Sequence, residues 1–131
     1  MRASTNKRID KDTYYLGIAE SVSKRSPCLK MQVGAIIVKN DSIISTGYNG
    51  PPRGEPHCNT CVRMNKESGS EYEVCPAVHA EENAIINAAR QGSSTIGGKL
   101  YLWASNRKIK KPCYRCRRAL KNAGIEEVIS G

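Results

Sequence analysis

The chain has 131 residues, the size of one domain, and carries a formal charge of +9 from 21 Lys and Arg against 12 Asp and Glu. No stretch joins a basic start to an uninterrupted apolar run, and none approaches the roughly 20 apolar residues that cross a bilayer, so the expectation is a cytoplasmic protein with no membrane partner. The positive balance suits nucleotides, nucleic acid or simply a solvated lysine-rich surface, and the six cysteines of a cytosolic chain point to metal ligands or a reactive thiol before disulfides.

In chain order, Asp12 is placed to cap a helix whose Tyr15, Ile18, Ala19 and Val22 fall at i, i+3, i+4 and i+7, and which stops before Pro27. Val33 to Val38 is a β-branched run, Asn40-Asp41 has turn chemistry, and Ile43, Ile44 and Thr46 continue beyond it, which together predict a buried hairpin. From Gly50 to Val78 the sequence is polar and rich in Pro, Gly and Cys, too long for an ordinary connection unless something pins it.

His79 to Arg90 predicts a helix ended by Gly92, and Leu100 to Ala104 a strand. Pro112 opens a further helix in its first turn, with Ala119, Leu120 and Ala123 inward and Gly124 as the stop, before a last strand begun by Val128 and Ile129. This order implies a mixed sheet with helices packed on it and right-handed crossovers between the later strands.

Two fragments carry chemistry: "HAE" at His79 to Glu81 and "PCYRC" at Pro112 to Cys116. Cysteines three apart at a helix start face the same way, and the positive helix end favours their thiolates. Alone, C-x-x-C is shared by zinc fingers and redox proteins, but a redox pair belongs directly after a first strand, whereas this one comes late in the chain. If His79 joins Cys113 and Cys116, zinc has three protein ligands and an open position for water, the arrangement of catalytic zinc. Glu81 is then free to take a proton from that water and deliver it elsewhere. His-x-Glu followed by Pro-Cys-x-x-Cys is the signature of zinc nucleobase deaminases, in which the Glu is general acid and base and not a ligand. Its neighbour Glu82 reads as an ordinary first-turn acid.

On "VGAIIV" at Val33, "GYNGPPRG" at Gly47, "HAEENAI" at His79, "PCYRC" at Pro112 and "NAGIEEVI" at Asn122, the chain resembles the cytidine deaminase-like superfamily, and within it the deoxycytidylate (dCMP) deaminases. The resemblance runs over nearly the whole chain. It implies a three-layer α/β fold with a mixed sheet of about four to five strands and helices on its faces, built as a single zinc-dependent domain over 1–131 with a Cys-rich loop insertion at 50–78.

It further implies hydrolysis of dCMP to dUMP and ammonia, with zinc-activated water attacking C4 and Glu81 protonating N3 and then the leaving amine. By the same resemblance Asn49 of "GYNG" lines the pocket and holds the sugar. Members are typically hexamers activated by dCTP and inhibited by dTTP with Mg2+, which places Tyr48, Gly50, Asn83 and Arg90 near that regulatory nucleotide.

Two features depart from the family pattern. The chain stops just past its last strand, and the lead-in to the cysteine pair is the long, basic "WASNRKIKKPC". Arg107, Lys108, Lys110, Lys111, Arg115, Arg117 and Arg118 form the densest charge in the chain, more than one nucleotide phosphate needs. Arg107 and Lys111 are the substrate-binding candidates among them, and the others suit an interface, a regulatory triphosphate or a larger substrate.

Cys28, Cys58, Cys61 and Cys75 remain, with His57 as an alternative ligand. Four soft donors without a nearby acid fit a closed structural zinc that would pin the loop at 50–78; buried free thiols are the plainer alternative. A polynucleotide base deaminase would suit the basic run, but aromatic residues are 5% of the chain with no Phe, too few for stacking platforms. A zinc-ribbon nucleic-acid binder would have no use for Glu81.

Overall fold

The computed structural model describes residues 7–65 and 74–131, so 66–73 of the Cys-rich loop lie outside the described residues. Helix α1 (Lys11–Ser23) is capped by Asp10, whose carboxylate accepts from the Thr13 N–H at 2.7 Å. Asp12, the expected cap, sits inside the first turn because the cap must lie three residues before the N–H it satisfies. It accepts instead from the Tyr101 hydroxyl at 2.6 Å, tying the helix to the sheet.

Strands β1 (Val33–Lys39) and β2 (Ser42–Tyr48) are antiparallel, joined by Asn40 and Asp41 at φ 51° and 60°. Two successive left-handed residues make the tight turn whose twist matches a hairpin, and Asn and Asp tolerate that conformation best. The hairpin is not uniformly buried, as the apolar run suggested. β1 is central and covered on both faces, whereas β2 is an edge strand with only Ser45 and Gly47 buried. After helix α2 (Ala80–Arg90), strand β3 (Lys99–Ala104) pairs antiparallel with β1; helix α3 (Tyr114–Asn122) then crosses over to β4 (Glu127–Ser130), parallel to β3. The sheet order is β2-β1-β3-β4, a mixed four-stranded sheet.

Strand alternation divides the core in two. Val33, Ala35 and Ile37 of β1 with Leu100, Leu102 and Ala104 of β3 pack under Ala80 and Ala84 of α2 and Leu120 of α3. Ile36, Val38 and Tyr101 face the other way, onto Tyr15 and Ala19 of α1. The expected three layers follow, with α1 on one face and α2 and α3 on the other.

Both faces need backbone-to-backbone contact. A Cβ on Gly34 would lie 2.0 Å from the Ala19 carbonyl oxygen, and one on Gly47 would lie 2.4 Å from the Ala84 nitrogen. Around Gly47, α2 satisfies the open edge of the sheet: Asn83 donates to the Tyr48 carbonyl at 2.8 Å and Asn87 to the Thr46 carbonyl at 2.7 Å. At α3, Cys113 takes the extended cap conformation (φ −67°, ψ 169°), so Pro112 stands one residue outside the helix rather than in its first turn.

Filling either contact has a predictable effect. Gly47→Ala should lower stability by about 1–3 kcal/mol through overpacking at rigid backbone, read as a fall in the urea midpoint with unchanged m-value, whereas Gly17→Ala, with nothing within 4 Å, should not.

Candidate active site

The sheet places the N-termini of α2 and α3 over the edge where β1 begins and β3 ends. His79 is the cap residue of α2 and Cys113 the cap residue of α3, and Cys116 is fully buried one turn into α3. The Nδ1 of His79 lies 3.4 Å from the Cys113 sulfur and 3.2 Å from the Cys116 sulfur, and the three donor atoms all fall within 4.8 Å of one another. Zinc–sulfur bonds of about 2.3 Å and a zinc–nitrogen bond of about 2.0 Å in a tetrahedral site put S and N about 3.5 Å apart, so the donors fit zinc with little movement. No other group of three His, Cys, Asp or Glu among the described residues meets that distance.

The thiols are poised for a cation. A hydrogen bond from Cys116, helped by His79, holds the Cys113 thiol at about 3, against the drag of its own burial. That same bond, with burial, pushes Cys116 up. Two helix N-termini aimed at the pair supply further positive potential for thiolates.

Glu81, the second residue of α2, is 6% exposed and outside the ligand triad. Burial pushes its carboxyl up to about 7, where it can both take and give a proton near neutrality. Glu82 does more than sit in a first turn: it accepts from the His79 backbone N–H at 3.0 Å and from the Arg115 guanidinium at 3.0 Å.

A half-buried His and two Cys, with a buried Glu two residues beyond the His and outside the triad, match the donor set of a hydrolytic deaminase, and comparison with known proteins agrees. Residues 9–131 match the family model described as the cytidine and deoxycytidylate deaminase zinc-binding region. The chain belongs to that family. It is therefore a hydrolytic deaminase with a zinc-binding domain. It is 40% identical over 131 residues to the deoxycytidylate deaminase of Mycobacterium phage D29, covering 93% of this chain and 94% of that one. It is 38% identical over 122 residues to the deoxycytidylate deaminase of Schizosaccharomyces pombe, of which it spans only 36% while 90% of this chain is covered. The crystal structure of the dCMP deaminase of cyanophage S-TIM5 in complex with dCMP and dUMP superposes with a TM-score of 0.75 at 29% identity, covering 95% of this chain and 83% of that one.

In this deaminase a cavity opens beside Glu81, walled by Val33, Leu102, Ile109 and Asn49. Asn49 is committed to its own backbone: its side chain accepts from the Val33 N–H at 2.9 Å and donates to the Met31 carbonyl at 2.8 Å. These bonds fix its orientation at the cavity wall. Lys111 reaches the cavity, as do Lys30 and the buried Arg63, two cations that the sequence did not single out. Neither lies in the basic run, and no local pattern marks them.

Arg107 does not reach it. Its guanidinium stacks over Trp103 at 4.7 Å from the ring centroid and donates to the Ala104 carbonyl at 2.9 Å, a better offer than open solvent for a planar cation. The rest of the basic run disperses: Arg115 pairs with Glu82, Arg118 lies over Tyr114, and Lys110 bonds the Gly131 carbonyl. Tyr48, Gly50, Asn83 and Arg90 line one open groove on the outer side of α2 and β2, joined by Arg53 and Asn87.

Cys28, Cys58, Cys61 and Cys75 line one small apolar cavity against Pro27 and Pro51, and Cys28, Cys61 and Cys75 also wall the cavity of Glu81. His57 is exposed and does not line it, and the four cysteines there do not form a group at metal-ligand spacing.

The raised carboxyl gives a pH test with a definite sign. A folded-state value of about 7 against 4.5 means the folded protein holds a proton that the unfolded chain releases, so stability falls as pH rises through that window. In the metal-free protein, Glu81→Gln should therefore raise the melting temperature at pH 8, by the equivalent of about 1–3 kcal/mol, with the gain shrinking toward pH 4.5.

Proposed function

We propose that the protein hydrolyses dCMP to dUMP and ammonia, with His79, Cys113 and Cys116 holding the catalytic zinc and Glu81 moving the protons. The observation that carries this is the placement of a buried Glu81 beside the three metal donors in a cavity that Lys30, Arg63 and Lys111 also line. Zinc held there supplies the Lewis acidity that makes a water reactive near neutral pH. As the water oxygen bonds to C4, Glu81 would move one of its protons to N3 of the cytosine ring and then the other to N4 as the C4–N4 bond breaks, so that ammonia leaves and the oxygen stays as the C4 carbonyl. Leu102, Ile109 and Val33 wall the cavity with apolar surface that excludes solvent from the base, and Asn49, held at the wall by Met31 and Val33, is set to meet the sugar.

Lys111, with Lys30 and Arg63, forms the seat for the 5′-phosphate: three cations from separate segments meet at one rim. The basic run spends its charge on Trp103, Glu82 and Tyr114 instead of forming one stripe, which favours a free nucleotide over a polynucleotide.

A second, structural zinc would draw together Cys28, Cys58, Cys61 and Cys75, which line one cavity but do not stand at metal-ligand spacing, and would give the loop the order a core would otherwise supply. The groove at Tyr48, Gly50, Asn83 and Arg90 is the place for dCTP as activator and dTTP as inhibitor with Mg2+, its two arginines matching a triphosphate, in a homo-oligomer, taken as a hexamer. No helix among the described residues is long and apolar enough to cross a membrane, consistent with work in the cytoplasm.

Zinc-loaded protein should remove the cytosine absorbance of dCMP, faster with dCTP and slower with dTTP, while Glu81→Gln loses at least about 10²- to 10⁴-fold in kcat with its zinc retained. Absence of turnover under every effector would overturn the assignment. Arg63→Met should raise KM for dCMP and leave the poor turnover of deoxycytidine unchanged, which tests the phosphate seat. Metal analysis should find two zinc ions per chain, falling to one in Cys61→Ser.

A further inference from the structure

The two helices that carry the proposed metal ligands bring their N-termini together, and they are joined at that point by groups with no part in the reaction. Glu82 accepts from the backbone N–H of His79 and, with the same oxygen, from Arg115, both at 3.0 Å. His79 is a ligand on α2, and Arg115 stands between the ligands Cys113 and Cys116 on α3. One carboxylate oxygen thus links the backbone of one ligand to the segment that bears the other two.

The link answers two local problems. Both helix N-termini point at the same place, and two positive ends held together repel unless negative charge lies between them. α3 has no acidic residue in its own first turn, and Glu82 supplies one from α2. The His79 N–H is also the donor that an N-cap residue leaves without a helical partner, and Glu82, three residues on, satisfies it in the capping-box manner. Arg115 in turn holds that carboxylate in place and offsets its charge beside two sulfurs.

We propose that Glu82 and Arg115 form a positioning clip: they set His79 at bonding distance from Cys113 and Cys116, and so determine how tightly the catalytic metal is held. This rests on the reading of those three side chains as zinc ligands. The pair is part-exposed, Arg115 by 40% and Glu82 by 23%, so its contribution to the stability of the fold is small. Its effect falls on the geometry of the site, where outer-shell partners of metal ligands typically account for about 10- to 100-fold in affinity.

The test is zinc affinity by competition with a chromophoric chelator, with the visible spectrum of the Co2+-substituted protein as a report on ligand geometry. Arg115→Met and Glu82→Ala should each weaken zinc about 10- to 100-fold and shift the Co2+ bands, while the melting temperature of the metal-free protein barely moves. The double variant should lose no more than the worse single one, because the two act as one unit. Glu82→Gln, which keeps an acceptor for both partners, and Arg115→Lys, which keeps the charge, should recover most of the affinity. Unchanged affinity and Co2+ spectrum in Arg115→Met, or additive losses in the double variant, would overturn the clip alone. Wild-type protein that holds no zinc would overturn the ligand reading and the clip together.

Discussion

Two helix N-termini brought to one point over the end of a sheet are the constraint on which the rest of this molecule depends. An α-helix opens with N–H groups that have no partner and a partial positive charge, and α2 and α3 both turn that end toward His79, Cys113 and Cys116. The hydrogen bond from Cys116, helped by His79, draws the Cys113 thiol down to about 3, while burial lifts Glu81 to about 7. One arrangement of backbone brings three donors that could hold a metal and a buried acid side by side.

The fold exists to hold that meeting point still. β1 is covered on both sides, with α1 on one face and α2 and α3 on the other, and its alternating side chains place the helices to within a residue. The close approaches at Gly34 and Gly47 leave the helix backbones no room to shift. Asn83 and Asn87 then fasten α2 along the exposed edge of β2, so the helix that carries His79 and Glu81 is fixed by backbone contact, side-chain hydrogen bonds and apolar packing together.

The charge of the chain is distributed by this architecture more than by its sequence order. A run of cations between Arg107 and Arg118 looks like one surface on paper, yet α3 and the turn before it send those side chains to Trp103, Glu82, Tyr114, the Gly131 carbonyl and the cavity. Lys30 and Arg63 come to the cavity rim from distant segments instead. The Cys-rich loop contributes Cys61 and Cys75 to two cavities at once, so whatever orders that loop also shapes the wall of the site.

What the sequence by itself determined was everything set by local spacing. His-x-Glu puts a possible metal donor on the cap and an acid in the first turn, Cys-x-x-Cys puts two sulfurs on one side of a helix start, and Asn40-Asp41 fixes a hairpin, because each depends on residues within a turn of one another. Element order and the mixed sheet followed from hydrophobic period in the same way. Where competing local choices existed, the structure departs from the sequence reading or adds to it: Asp10 and not Asp12 caps α1, Pro112 stands before α3, the first-turn acid Glu82 also bonds His79 and Arg115, and the substrate-binding candidate Arg107 lies over Trp103. Only the tertiary structure decided these, along with the cations at the cavity rim and the exposed edge at β2. Asp12 is drawn to Tyr101, Glu82 to Arg115, and Lys30 and Arg63 to the cavity, partners on other segments that no spacing along the chain encodes.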